Sequence, residues 1–144
     1  MPYPEELVTP MRKELSDIGF EELKTAEDVK AFLDNQEGSA IIVFNSVCGC
    51  AAGGARPGIK RSLEHAEVPA QLKTVFAGQD IEAAKAVRAH FSDLPPSSPS
   101  AIIIEDGEVV EYYPRHKIEG YTPEQIANNL TKIYDQLKKP QKAA

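Results

Sequence analysis

The sequence predicts an α/β fold: a mixed central sheet of four or five strands with helices on both faces. Two patterns carry this reading. Short β-branched and aromatic runs alternate with segments of helical periodicity, which implies parallel strands joined by crossover helices. Near the C-terminus, two strand-like runs flank Asp106-Gly107, a pair that favours a tight hairpin and so adds antiparallel strands to the same sheet. At 144 residues the chain fits a single domain, 1–144, large enough to bury a core.

The elements follow in order. Leu7, Met11 and Leu15, at four-residue steps, predict an amphipathic helix over about residues 4–18, kinked or delayed by Pro10. "FEELK" reads as a short strand. Thr25, three residues before Asp28, caps a second helix that Gly38 ends. "AIIVFNS" is a buried strand. "GARPGIKRSLEHA" is helical despite Pro57 and Gly58, and "AQLKTVFAG" is a strand. Asp80 caps the helix "IEAAKAVRAHF", and "LPPSSPS" is a stiff loop. The hairpin "SAIIIEDGEVVEYYP" leads to a last helix, with Thr122 as N-cap and Ile126, Leu130, Ile133 and Leu137 on one face. A tail over residues 139–144 is expected to fray.

Composition excludes some functions. With 22 acidic against 16 basic residues the net charge is −6, which argues against nucleic acid or an anionic membrane as partner. "MPYPEELVTPMRKEL" lacks the apolar core of a signal peptide, and no apolar run approaches the ~18 residues of a membrane span. A cytoplasmic location is therefore expected. In that reducing compartment two cysteines are not a structural framework.

Those cysteines are Cys48 and Cys50, separated by Gly49, between a strand and a helix. A thiol at a helix N-terminus meets unpaired N–H groups and the positive end of the dipole, which favour the nucleophilic thiolate. Arg56 and Lys60 add positive charge. Gly49, Gly53 and Gly54 remove bulk, so that a partner's sulfur can approach. A Cys48–Cys50 bridge closes a small, strained ring, labile rather than structural. Inert thiols remain an alternative, as does a zinc or iron–sulfur site shared between two chains. No metal or other cofactor is expected within one chain, because His65, His90 and His116 show no ligand spacing to the pair. Arg115 and His116, in a basic loop after the hairpin, could contact an anionic small thiol. Glu119 and Gly120 are read as setting the turn before the last helix.

Pro99, followed by "SAIII", "EDG" and "EVVEYY", resembles the thioredoxin fold, in which a cis-proline loop faces the cysteines and starts the next strand. A cis Ser98–Pro99 bond would present the backbone of Ser98 to an extended partner. Taken together, "NSVCGCAAGGARP", "PPSSPSAI" and "PRHKIEG" resemble the bacilliredoxin family over nearly the whole chain. That resemblance implies a bacterial cytosolic thiol–disulfide oxidoreductase that removes bacillithiol, a low-molecular-weight thiol, from S-thiolated proteins, with weak disulfide isomerase activity. It implies Cys48 as the attacking and Cys50 as the resolving cysteine. The alternatives are a general disulfide isomerase and a non-enzymatic redox-sensing or metal-binding module.

Overall fold

The computed structural model describes residues 2–142. Five strands form one sheet in the order β1 (Glu21–Glu22), β4 (Gln71–Phe76), β2 (Ser39–Asn45), β5 (Ser100–Glu105) and β6 (Glu108–Tyr113). Strands β1 and β2 run parallel to β4; β5 is antiparallel to β2, and β6 to β5. Helices α1 (Glu5–Ser16), α3 (Arg56–Ser62) and α5 (Pro123–Tyr134) cover one face, and α2 (Ala26–Asp34) and α4 (Ile81–His90) the other. This is the expected thioredoxin-like α/β arrangement. A two-residue ladder between β3 (Glu67–Val68) and β7 (Gln141–Lys142) stands apart from the main sheet. Among the described residues no helix is long and apolar enough to cross a membrane.

Strand β2 is the centre of the molecule, and all of its residues are buried. Its side chains alternate between two cores. Ile41 and Val43 join Leu15, Ile59, Ile126 and Leu130 on one side, while Ala40, Ile42 and Phe44 join Val29, Ala83 and Val87 on the other. Burial of each large apolar side chain contributes about 1.5–3 kcal/mol, so β2 has little freedom to shift. The pairing of Phe44 with Ser100 sets the end of β2 against the start of β5. The segment after β2, which carries the cysteines, and the proline loop before β5 therefore leave the sheet at the same end.

Several local expectations change. The helix α1 runs unbroken through Pro10, whose ring is exposed and removes only a bond to the carbonyl of exposed Glu6. Its inward face is Val8, Arg12 and Leu15, whereas Leu7 is 47% exposed. Arg12 turns the helix. The Arg12 guanidinium, buried against the Phe76 ring, donates to Glu5 (2.7 Å), Glu22 (2.8 Å) and both carboxylate oxygens of Asp80 (2.6 and 2.9 Å). Asp80 stands at the N-cap position of α4 but makes no cap bond, because its carboxylate is engaged by Arg12. Thr25 and Thr122 do cap their helices, the latter in a reciprocal box with Gln125. Asp106 (φ 51°) and Gly107 (φ 82°) form the left-handed pair of the hairpin turn.

The tail expected to fray from 139 is held as far as Lys142. The Lys138 and Lys139 N–H groups donate to Glu105 (3.0 and 2.8 Å), Ser39 Oγ donates to the Lys139 carbonyl (3.2 Å), and Gln141–Lys142 pair with β3. Residues 143 and 144 lie outside the described residues.

Helix α3 is reached through a π-helical stretch, Ala51–Ala55, whose wider turn carries the chain from the cysteines into Arg56. Gly58 lets α3 press on α5: a Cβ there would lie 2.7 Å from Ile126 Cγ2 and 3.3 Å from the Pro123 carbonyl. Gly58→Ala is therefore expected to lower stability by about 1–3 kcal/mol in urea unfolding. Gly53→Ala, where a Cβ meets nothing within 4 Å, should be neutral or slightly stabilising.

Candidate active site

The chain leaves β2 at Asn45 and Ser46, two polar residues that are both buried. Their burial is sustained by Arg56, only 2% exposed. Arg56 Nη1 donates to Asn45 Oδ1 (2.9 Å) and to the Ser46 carbonyl (2.7 Å), and its Nε lies 3.1 Å from Glu14. Asn45 Oδ1 also accepts from the Ser46 N–H (2.9 Å), while Asn45 Nδ2 donates to the Met11 carbonyl on α1 (3.1 Å). A buried cation needs partners of this kind to offset its lost hydration. The consequence is a rigid corner before the cysteines.

Cys48 and Cys50 are both half-buried free thiols, with their sulfurs 3.5 Å apart. Helix begins at Gly49, and the Ala51 and Ala52 N–H groups point to the Cys48 carbonyl at 3.1 and 3.2 Å. The Cys48 N–H donates to Ser46 Oγ (3.3 Å), which holds that hydroxyl beside the thiol.

The two thiols are driven apart in acidity. Partial burial pushes Cys48 up, but hydrogen bonds from the Ser46 hydroxyl and the Ala51 N–H, with the contact to the adjacent Cys50 sulfur, outweigh it and hold the thiol below the ordinary range. Cys50 is pushed up, first by burial and then by the negative Cys48 sulfur beside it; Arg115 opposes this. Cys48 is thus the more nucleophilic partner at neutral pH, and Cys50 the one held as a thiol.

The second half of the site comes from the loop that enters β5 at this same end of the sheet. The Ser98–Pro99 bond is cis, as expected, and Pro99 is buried while Ser98 is half-buried. Tyr112 Oη donates to the Pro95 carbonyl (2.6 Å) and shares a hydrogen bond with Ser97 Oγ (2.7 Å), fixing the loop to β6. Arg115 Nη1 donates to the Ser98 carbonyl (3.3 Å) and Arg115 Nε to Glu119 Oε2 (2.8 Å). That same oxygen of Glu119 accepts from the Cys50 thiol (3.8 Å). Glu119 raises the Arg115 pKa most, and the neighbouring cysteines add to it.

The residues singled out by sequence therefore divide. Cys48, Cys50, Ser98, Pro99 and Arg115 meet in one cluster. His116 sits next to Arg115 on a short 3₁₀ turn, Arg115–Lys117, but is exposed and makes no hydrogen bond or ion pair among the described residues. Gly49 and Gly53 are exposed, and a Cβ on either would meet nothing within 4 Å, so the approach to the sulfurs is open. Arg56, expected to act on the thiolate by charge, instead spends its guanidinium on Asn45, Ser46 and Glu14; it positions Ser46. Lys60 is exposed. Ser46, Asn45 and Glu119 were not singled out as site residues. Their signals are an Asn-Ser pair closing an apolar strand just before the cysteines, and an Arg–Glu spacing of four.

The family model described as disulphide isomerase matches residues 3–137. A bacilliredoxin from Cytophaga hutchinsonii is 51% identical over 135 residues, covering 94% of this chain and 99% of the relative. One from Shouchella clausii is 51% identical over 134 residues, covering 93% and 92% of the two chains. Another from Bacillus cereus is 47% identical over 134 residues, covering 92% and 93%.

The opposed shifts predict selective labelling. A depressed thiol ionises at lower pH, so iodoacetamide should modify Cys48 in a pH range where Cys50 remains unreactive, as read by peptide mass. Ser46→Ala should move the Cys48 midpoint upward. An unchanged midpoint would remove Ser46 from this account.

Proposed function

The chain belongs to the bacilliredoxin family, and from that premise we propose that it is a thiol–disulfide oxidoreductase whose Cys48 removes bacillithiol from S-thiolated cytoplasmic proteins. The single observation that carries the reading is the pair of sulfurs 3.5 Å apart, one held below and one above the ordinary thiol range, at an open end of a rigid sheet.

The Cys48 thiolate attacks the small-thiol sulfur of the client's mixed disulfide. A bond forms between Cys48 and that sulfur, the client's sulfur leaves as a thiolate, and a proton from solvent restores it as a thiol. Cys48 now carries the small thiol. Cys50 then displaces it, or a second low-molecular-weight thiol does so from solution. The backbone of Ser98, beside Pro99, is the surface for the extended client chain. Arg115 is the cation for the carboxylates that bacillithiol carries, with exposed His116 alongside it as a second, weaker contact.

A second reading, disulfide isomerisation, is favoured by the description of the matching family model. It uses the same attack by Cys48 on a protein disulfide.

Intact mass spectrometry of the Cys50→Ala variant mixed with a bacillithiolated model protein tests the reading. The expected result is a gain of one bacillithiol on Cys48 with release of the client thiol. Cys48→Ala should abolish the transfer. No mass gain, with Cys48 reduced and accessible, would reject de-thiolation and leave isomerisation to be measured.

A further inference from the structure

Removal of a small thiol can end in two ways, and the structure bears on which one this protein takes. The inference rests on the exchange reading given above. Cys50 is close enough to attack a mixed disulfide on Cys48, with the sulfurs 3.5 Å apart. Distance alone would make the internal route the fast one. What stands against it is Glu119.

Glu119 Oε2 accepts the Cys50 thiol hydrogen at 3.8 Å and the Arg115 Nε hydrogen at 2.8 Å. Both bonds act in the same direction. A carboxylate beside a thiol favours the neutral S–H and disfavours the thiolate, because it accepts the hydrogen of the first and repels the charge of the second. Arg115 is the cation nearest to this sulfur in effect, and a guanidinium paired with a carboxylate offers less net charge to a neighbouring thiolate. The charged and titratable groups facing Cys50 are therefore Cys48 from its own segment, and Arg115 and Glu119 from the turn after β6; otherwise Cys50 packs against the apolar core that includes Ile118 and Ile126.

We propose that Glu119 withholds Cys50 from reaction: it keeps the second sulfur protonated and occupies Arg115, so that the mixed disulfide on Cys48 persists and is resolved by an external low-molecular-weight thiol. An incoming thiol bearing carboxylates competes with Glu119 for Arg115; its thiolate attacks the small-thiol sulfur on Cys48, a disulfide forms between the two small thiols, and Cys48 leaves as a thiolate, so the external thiol is oxidised and Cys48 is reduced. The internal route, when it occurs, is balanced as follows. Cys50 loses its proton to solvent and attacks Cys48. The Cys48–Cys50 bond forms, the bond to the small thiol breaks, and the small thiol leaves as a thiolate that takes up a proton. Cys50 is oxidised and the small thiol is reduced, so that no further oxidant is required.

Glu119→Gln tests this. The amide oxygen can still accept from Arg115, and the site is exposed, so the fold is not at stake. The probe is 5,5′-dithiobis(2-nitrobenzoate), which releases one coloured thiolate when Cys48 forms the mixed disulfide and a second when Cys50 resolves it. Loss of one charge about 4 Å from a thiol in a partly exposed site lowers its ionisation midpoint by about one pH unit. The weaker nucleophilicity of the more acidic thiol returns part of that gain, leaving resolution about threefold faster below the midpoint. In Glu119→Gln the first release is measured at the same pH, so that the second release is read as a ratio to it. The second release should be faster, with its pH profile moved to lower pH, and Glu119→Asp should keep the slow second phase. A second release that is unchanged or slower in Glu119→Gln, after a normal first release, overturns the role of Glu119 and leaves the exchange reading standing. Absence of the first release in the parent protein overturns both.

Discussion

The buried guanidinium of Arg56 is the constraint on which the site depends. A cation with 2% exposure cannot be left without partners, and its partners here are Glu14 on α1 and the two residues at which the chain leaves the central strand, Asn45 and Ser46. Asn45 and Ser46 are consequently fixed to α3, which begins six residues after Cys50. The loop between them has to close over a set span, and that closure sets the position of both sulfurs. Asn45 extends the same network to the Met11 carbonyl, so α1 is tied into it as well. The apolar packing of β2 fixes where the loop starts, and Arg56 fixes where it returns.

The two thiols are tuned by different kinds of interaction. Cys48 is lowered by hydrogen bonds: a hydroxyl, a backbone N–H and its partner thiol. Such bonds act over about 3 Å and are little affected by salt. Cys50 is raised first by burial and then by its hydrogen bond with Cys48, and charge adds to this in both directions, the Cys48 sulfur raising it and Arg115 lowering it. Charge effects at a half-exposed site are modest and are screened by salt. The thiol assigned to attack is thus built on short-range geometry, and its neighbour on a balance that a bound anion can change.

The parts of the fold visible in the sequence were those set by local periodicity and turn chemistry. The apolar run of β2, the left-handed Asp106-Gly107 pair and the Thr122 cap each carry their meaning within a few residues. The cysteine pair and Pro99 were legible for the same reason, with the resemblance to a known family supplying their roles. Long-range polar pairing was not legible. Asp80 reads as a cap until Arg12, 68 residues away, takes its carboxylate. Leu7 reads as core because it shares a spacing with Leu15, but the inward turn of α1 is decided by Arg12 and its three acidic partners. Arg56 reads as a charge near the thiols because sequence distance cannot show that its guanidinium points back at the strand.

The two arginines of the site illustrate why this separation is useful. Arg56 is buried, and its Nη1 bonds are to the neutral oxygens of Asn45 and Ser46, which a charged ligand cannot displace without opening the core. Arg115 is half-exposed and bound to a carboxylate, Glu119, whose side chain is 61% exposed. An exposed ion pair of this kind contributes about 0–1 kcal/mol, so exchanging Glu119 for another carboxylate costs little. Rigidity and responsiveness are therefore assigned to different residues with the same side chain. Were the cation near the thiols as deeply buried as Arg56, it would hold both sulfurs ionised alike, and nothing would distinguish attacker from resolver. Placed on an exposed turn and paired with Glu119, Arg115 leaves the two thiols distinct.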